Sequence, residues 1–168
     1  GDAPVTYDLG VSTIPVAAAH TLKTGLYLGS IAPDTEAASQ PSVNANLEPE
    51  DDGLLSTTLN VLASSTTYSL PISVTNSTTG VAYANAFVDW NLDGDFLDLS
   101  ETGTLMSIPA NSGTKTYNVV FSVPSAITTA VNTYARLRVA IDSAGVKRSY
   151  SPSAGGEVED FYITLNKT

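Results

Sequence analysis

Apolar and polar residues alternate with a period of two in four stretches of this chain, and this alternation constrains the fold more than any other feature. Successive side chains of a β-strand point to opposite faces, so the pattern predicts strands with one buried face. The four stretches are 68–75, 116–123, 136–141 and 160–165. We therefore expect four strands whose apolar sides cover a common core.

Further segments with the composition of strands bring the expected number of strands to about eight. They are Val5 to Leu9, Thr21 to Leu28, Thr57 to Ala63 and Tyr83 to Trp90. Candidate helices are confined to 32–39 and 125–133, and β-branched residues weaken the second. The expected fold class is all-β, an antiparallel β-sandwich of jelly-roll type, built as a single domain over residues 1–168 with a long acidic loop at 30–55.

The charge of the chain excludes several classes of function. It has 17 Asp and Glu against 7 Lys and Arg, a formal net charge of −10, no Cys and a single His. Such a protein is repelled by nucleic acids and anionic membranes, so we expect neither nucleic-acid binding nor membrane insertion. Disulfides, thiol catalysis and Cys- or His-rich zinc sites are excluded as well. Because the chain starts at Gly1 rather than Met, we expect a module of a longer protein.

Three short clusters hold 12 of the 17 acidic residues and contain no Lys or Arg. They span Glu48 to Asp52, Asp89 to Glu101 and Glu157 to Asp160. Carboxylates ~5–8 Å apart repel each other by roughly 2–3 kcal/mol per pair at an effective dielectric constant near 20. A folded loop with five of them therefore predicts a bound cation.

The cluster from Asp89 to Glu101 has the spacing of a calcium loop. Oxygen-bearing side chains occupy its first, third and fifth positions, and Gly94 follows at the sixth, where it supplies a tight turn. Ca²⁺ is favoured over Mg²⁺ because it accepts about six to eight oxygens in a flexible geometry. The expected ligands are Asp89, Asn91, Asp93, Asp95, Asp98 and Glu101. A predicted strand precedes the loop, so the site differs from an EF-hand; the alternative is a hairpin turn with solvated carboxylates.

The cluster near the C-terminus offers further ligands. Glu157 lies in a Gly-rich turn and is the strongest candidate there. Glu159 has the same parity as Phe161, so its carboxylate is expected to point inward and to need a partner. That partner is either an arginine, Arg136 or Arg138, or the cation, and the same alternatives apply to Asp160.

The remaining cluster allows two interpretations. Asp51 and Asp52 form a second cation loop together with Asp34 and Glu36, or they belong to a solvated acidic turn.

The sequence Gly156 to Phe161 reads GEVEDF and resembles the signature of the GEVED domain, a family found in secreted bacterial proteins and large repetitive surface adhesins. Other segments resemble the family pattern in the same order: 1–7, 20–22, 26–30, 34–36, 50–54, 87–96 and 134–138. The resemblance implies an extracellular, calcium-loaded β-sandwich module at the bacterial surface, part of an adhesin or of a secreted enzyme.

The leading functional hypothesis is a monomeric adhesion module that binds a peptide or a carbohydrate through its calcium ion. Trp90 and Phe96 lie within the loop and are candidate ligand-binding residues, with core packing as the alternative. Other hypotheses are a calcium-stiffened spacer and a non-catalytic accessory domain of a secreted hydrolase. We expect no catalytic activity, because metal binding explains the grouped carboxylates better than a glycosidase pair does.

Overall fold

A computed structural model of the chain describes residues 2–10, 16–35, 41–46, 50–125, 127 and 130–168. Its strands are β1 (Ala19–His20), β2 (Leu26–Leu28), β3 (Thr58–Val61), β4 (Thr67–Asn76), β5 (Ala82–Val88), β6 (Met106–Ile108), β7 (Gly113–Ser122), β8 (Val131–Ala140), β9 (Pro152–Ser153) and β10 (Gly156–Lys167). Short 3₁₀ helices span Val5–Asp8, Leu99–Glu101 and Ser143–Val146. No helix in the described part of the chain is long and apolar enough to cross a membrane.

The strands form a five-stranded sheet in the order β3-β10-β8-β5-β6 and a three-stranded sheet in the order β2-β4-β7. β1 and β9 form a separate two-stranded sheet. The pairings β1 with β9 and β3 with β10 are parallel, and the other strand pairs of the described residues are antiparallel. The expected all-β sandwich is confirmed, with parallel pairing at two places where antiparallel strands were predicted.

The apolar residues of the alternating stretches form the core between the two large sheets. Leu70, Ile72, Val74, Val119, Phe121, Leu137, Val139, Ile163 and Leu165 are all at most 1% exposed. Their period of two places each set on one face of its strand. The alternation in the sequence thus predicted the inner faces of β4, β7, β8 and β10.

The five-stranded sheet is buried on its outer face too, which the alternation did not predict. Phe87, Arg136, Arg138 and Asp160 point to that face and are about 1% exposed. The N-terminal segment covers it, since Ala3, Tyr7, Phe87 and Phe96 form a second apolar cluster. Charged residues at alternate positions normally indicate a solvated face. Here hydrogen bonds from segments far away in the sequence satisfy them, and no local pattern shows such bonds.

Several predicted elements differ from those in the structure. Val5 to Leu9 was expected as a strand, but Val5–Asp8 is a 3₁₀ helix. A strand was expected over Thr21 to Leu28, but within this segment the strand is limited to Leu26–Leu28. The candidate helix 32–39 lies partly outside the described residues, and in 125–133 the residues from Val131 onward belong to β8. Short alternating runs do not by themselves fix a strand, because a strand also needs a neighbouring strand to pair with.

Arg136 joins three separate segments on the outer face. Its Nε and Nη2 donate to the two carboxylate oxygens of Asp160 at 2.6 and 2.7 Å. Its Nη1 lies 3.0 Å from Asp8 Oδ1 and donates to the carbonyl oxygens of Tyr7 and Ser149 at 3.0 and 2.7 Å. Two carboxylates and two carbonyls thus compensate the cost of burying this guanidinium.

Gly156 begins β10 and lies directly against β8. A Cβ atom at this position would lie 1.8 Å from the carbonyl oxygen of Val139. A backbone oxygen of a central strand cannot move away cheaply, so the site requires glycine. Close strand contact thereby accounts for the first residue of the GEVED sequence.

We expect Asp160→Asn to lower the free energy of unfolding by about 3–5 kcal/mol, since it leaves a buried guanidinium with one carboxylate fewer. Urea unfolding measures this change. Asp34→Asn, at an exposed carboxylate, is the control and should have little effect. Equal stability of the two variants would contradict the role given to Asp160.

Candidate metal centre

The loop that follows β5 is anchored in both apolar clusters. Trp90 is 1% exposed and packs between the sheets, with ring centroids 5.5 Å from Phe121 and 6.0 Å from Tyr68. Phe96 is 2% exposed and packs on the outer face, 4.7 Å from the ring of Tyr7. The loop is therefore held on both sides of the five-stranded sheet, which fixes the positions of the acidic residues between the two rings.

Side chains of the loop fold it through repeated local hydrogen bonds. The Oδ1 atoms of Asn91, Asp93 and Asp95 each accept the backbone N–H two residues further on, at 3.1, 3.3 and 2.8 Å. Asn and Asp favour this turn because their short side chains mimic a backbone carbonyl. Leu92 and Gly94 have positive φ angles of 67° and 89°. The alternating Asn and Asp residues thus fold the loop as a series of tight turns.

Asp89 lies at the base of the loop and is fully buried. Its Oδ1 accepts the backbone N–H of Leu92 at 2.6 Å, and its Oδ2 accepts the N–H of Gly94 at 3.1 Å. The hydroxyl of Tyr7 donates to Oδ2 at 2.7 Å. Burial and the bond to Asp89 raise the pKa of Tyr7, so this hydroxyl keeps its proton and remains a donor.

Glu101 closes the loop and is also fully buried. The 3₁₀ helix Leu99–Glu101 carries it, and its Oε2 accepts the backbone N–H of Asp98 at 3.2 Å. Its Oε1 has no hydrogen-bond partner among the described residues. Burial, together with Asp89, Asp93 and Asp98, raises the pKa of Glu101 to about 8. A buried carboxylate oxygen without a donor is costly unless the group takes up a proton or a cation lies beside it.

The carboxylates of Asp89, Asp93 and Glu101 converge, with one oxygen from each lying within 4.8 Å of the others. Among the described residues this is the one group of three acidic side chains whose oxygens approach each other so closely. An all-oxygen set suits a hard cation such as Ca²⁺, and the unpartnered Oε1 of Glu101 supplies a lone pair that no donor uses. These three carboxylates therefore suit a hard cation, and its identity as Ca²⁺ stays a prediction.

The other predicted ligands of the loop surround these three carboxylates. Asn91 donates through Nδ2 to Asp93 Oδ2 at 3.0 Å and to Asp98 Oδ2 at 2.6 Å. Asp95 holds the turn toward Leu97. Asn91, Asp95 and Asp98 thus shape the loop in this structure, and their direct ligation of the metal stays a prediction.

Glu157 does not join the loop. It lies in β10, opposite Val139, whereas β5 next to the loop pairs Val88 with Ala135. Val139 and Ala135 are four residues apart along β8, which places Glu157 about 13 Å along the sheet from the start of the loop. Glu157 is 7% exposed, and its Oε2 accepts the backbone N–H of Leu28 at 2.6 Å. The prediction of a Gly-rich turn at this position is therefore wrong, because β10 already begins at Gly156.

Glu159 points inward, as its parity predicted, but it pairs with neither arginine. Its two carboxylate oxygens accept the backbone N–H groups of Asp52 and Gly53 at 3.2 and 2.8 Å. Burial, Glu157 and Asp51 raise its pKa well above the usual value. The arginines lie on the opposite face of the sheet, because they pair in register with Val158 and Asp160. Asp160 binds Arg136, which confirms the salt-bridge interpretation for that residue and corrects its assignment as a metal ligand.

The remaining candidates lie in the acidic loop. Asp52 accepts hydrogen bonds from the backbone N–H and hydroxyl of Ser30 at 2.9 and 2.8 Å, so it fixes a turn there. Asp34 is exposed, and Glu36 lies outside the described residues. Within the described part of the chain, Asp34, Asp51 and Asp52 do not form a second group of three converging carboxylates.

The burial of Trp90 and Phe96 corrects their assignment as ligand-binding residues. Stacking on a sugar requires an exposed ring face, and both rings are at most 2% exposed. Core packing, the alternative, accounts for both of them. For Trp90 the parity with Val88 in β5 indicated this position.

Tyr7 is the residue of the centre that the sequence did not reveal. It lies 82 positions before Asp89 and was expected in a strand. Thr133 also contacts the base of the loop, donating through Oγ1 to the carbonyl oxygen of Asp89 at 2.9 Å. Neither residue type is diagnostic of metal sites, so no sequence signal pointed to them.

The family model of the GEVED domain matches residues 83–164, which run from β5 to β10 and include the loop. The resemblance drawn from the sequence is confirmed over these residues, which match the model of the GEVED domain. A comparison with curated proteins gives no match.

Solved structures with a similar chain trace are distant. The periplasmic chaperone SfaE is 13% identical at a TM-score of 0.39, over 68% of this chain and 56% of its own. The E. coli chaperone DraB is 11% identical with a TM-score of 0.34, and the match covers 67% of this chain and 51% of DraB. SSP-19, an MSP-domain protein like family member in Caenorhabditis elegans, is 8% identical with a TM-score of 0.34. The match covers 66% of this chain and 94% of SSP-19. The chain spans about half the length of the two chaperones. Likeness at this level does not extend to function.

We expect Ca²⁺ to raise the melting temperature by about 5–10 °C at a hundredfold excess over its Kd, since binding to the folded state then contributes about 2.7 kcal/mol. Scanning calorimetry of chelator-treated protein, with and without Ca²⁺, measures this. Glu101→Gln should abolish the shift, whereas Asp142→Asn, at an exposed carboxylate, should retain it. An equal shift in both variants would exclude Glu101 as a ligand.

The raised pKa of Glu101 also predicts how the stability of metal-free protein depends on pH. Its pKa in the folded state is about 8 against an ordinary value of 4.5, so the folded state binds the proton more tightly than the unfolded chain does. The free energy of unfolding should therefore fall as the pH rises from about 5 through 8. Urea unfolding across this range should show a smaller slope for Glu101→Gln. A remaining slope of the same sign is expected from Glu159.

Proposed function

We propose that this chain is an extracellular, non-catalytic adhesion module of a bacterial surface protein that binds its ligand through a calcium ion. The observation that carries the proposal is the unequal burial of the three converging carboxylates. Asp89 and Glu101 are fully buried, whereas Asp93 is exposed. A cation held from the inside by two carboxylates and reached by solvent beside the third is able to accept a ligand oxygen on the exposed side.

The charge around the centre favours a carbohydrate over a peptide carboxylate at this position. The loop carries five acidic side chains, so one Ca²⁺ leaves a formal charge of −3. A second anion would be repelled, whereas a sugar hydroxyl contributes an oxygen without charge. Vicinal hydroxyls of a glycan are thus the ligand chemistry that suits the centre best. The match of residues 83–164 to the GEVED domain, which resembles modules of bacterial surface proteins, supports a surface location.

A calcium-stiffened spacer is the second candidate. The anchoring of the loop in both apolar clusters, by Trp90 and Phe96, favours it, because a cation there would rigidify the contact between the loop and the sheet. In this case the calcium ion stabilises the fold, and no ligand completes its coordination.

A glycan array probed with calcium-loaded protein, chelator-treated protein and the Glu101→Gln variant distinguishes the two. The adhesion module should give specific signals with Ca²⁺ and lose them in the other two samples. Stabilisation by Ca²⁺ with no specific signal on glycan or peptide arrays would support the spacer. Identical signals with and without chelator would contradict a calcium-mediated ligand site.

A further inference from the structure

A cavity of about 270 Å³ lies beside the outer face of the five-stranded sheet, next to the 3₁₀ helix Ser143–Val146. Its lining includes Arg138, Lys147 and Arg148, which are three of the seven Lys and Arg residues of the chain. No Asp or Glu of the described residues belongs to the lining. The residues that line this cavity thus carry a net positive charge, whereas the whole chain has a net charge of −10.

Arg138 is the buried cation of this cavity. It is 1% exposed and lies two residues after Arg136 on the same face of β8. Its Nε donates to Nε2 of His20 at 3.0 Å, and its Nη atoms donate to the carbonyl oxygens of Arg148, Tyr150 and Ser151, each at 2.8 Å. These bonds use four of its five N–H groups. Every acceptor is neutral, because His20 accepts through Nε2 and its pKa is lowered to about 3 by burial and by Arg138.

The contrast with Arg136 shows what Arg138 lacks. Arg136 is equally buried and has two carboxylates, Asp8 and Asp160, in direct contact. Arg138 has no ion pair with a carboxylate among the described residues, and Arg136 adds a like charge nearby. Burial and Arg136 lower the pKa of Arg138 to about 10, while Asp160 and Asp8, which form no ion pair with it, act in the opposite direction. A buried guanidinium costs several kcal/mol unless a negative charge offsets it.

The backbone beside Arg138 is held in an unusual conformation. Ser151 lines the cavity and has a φ of 73°, a region that residues other than glycine rarely adopt. Its carbonyl oxygen accepts from Arg138 Nη2, so the arginine stabilises this conformation. Backbone strain of this kind clusters at ligand sites, where it fixes the shape of the wall.

We propose that this cavity binds a small carboxylate. Lys147 and Arg148 are exposed at its wall and reach the ligand directly, with Arg148 suited to bidentate pairing. Arg138 supplies a fixed positive charge from its buried position on β8. The volume of the cavity suits one acidic sugar unit or the carboxylate end of a peptide. The site is separate from the calcium loop and does not depend on the function proposed for it.

NMR titration of ¹⁵N-labelled, calcium-loaded protein tests this proposal with two matched pairs of ligands. One pair is galacturonate and galactose, and the other is an acetylated dipeptide with a free C-terminal carboxylate and its amide. We expect saturable shifts of the backbone amides at 144–151 with at least one carboxylate and none with its neutral counterpart. Affinity should fall as the salt concentration rises. Binding of galacturonate alone identifies an acidic glycan, binding of the dipeptide alone identifies a chain end, and binding of both identifies a general carboxylate site.

The double variant Lys147→Gln/Arg148→Gln should weaken binding about tenfold or more, because it removes two charge-assisted contacts. Both side chains are exposed, so the fold should persist, and the dispersion of the amide spectrum checks this. Lys115→Gln, at an exposed lysine of β7 in the other sheet, is the matched control and should bind as the unaltered chain does. Equal shifts with the neutral ligands, no shifts with either carboxylate, or undiminished binding by the double variant would each overturn the proposal.

Discussion

The bidentate ion pair between Arg136 and Asp160 is the interaction on which the outer half of the structure depends. It lies on the outer face of the five-stranded sheet, where both side chains are 1% exposed. The same guanidinium binds Asp8 and the carbonyl oxygens of Tyr7 and Ser149. Asp160 also accepts the backbone N–H of Ala3 at 2.8 Å. A single buried charge pair therefore holds the N-terminal segment and the segment around Ser149 against the sheet.

The arrangement of the candidate metal centre depends on this ion pair. Once the N-terminal segment is fixed, the hydroxyl of Tyr7 reaches Asp89 and its ring packs on Phe96. The base of the loop is thus oriented by a residue from the other end of the chain, and Trp90 anchors the loop from the opposite side of the sheet. A preorganised set of carboxylates loses less entropy when a cation binds than a mobile set does. The cost is the burial of Glu101 and the repulsion from the neighbouring carboxylates, which together raise its pKa.

The two arginines of β8 illustrate a division of roles along one strand. Both are buried on the same face, but Arg136 has carboxylates and Arg138 has carbonyls and a neutral imidazole. Carbonyl dipoles satisfy the hydrogen bonds of a guanidinium without cancelling its charge. Asp8 and Asp160 contact Arg136 directly and act on Arg138 only through space, so the charge of Arg138 is the less compensated of the two.

The sequence by itself determined the all-β class, the inner faces of β4, β7, β8 and β10, and the group of acidic residues from Asp89 to Glu101. These features are local: a period of two and a short spacing of oxygen-bearing side chains carry their own physical meaning. Only the tertiary structure decided that Asp160 binds Arg136 and Glu159 does not, that Val5–Asp8 is a 3₁₀ helix, and that Tyr7 holds Asp89. Each of these depends on contacts between residues distant in the chain. Parity tells which face a side chain is on, but the partners it meets there are set by the packing of other segments.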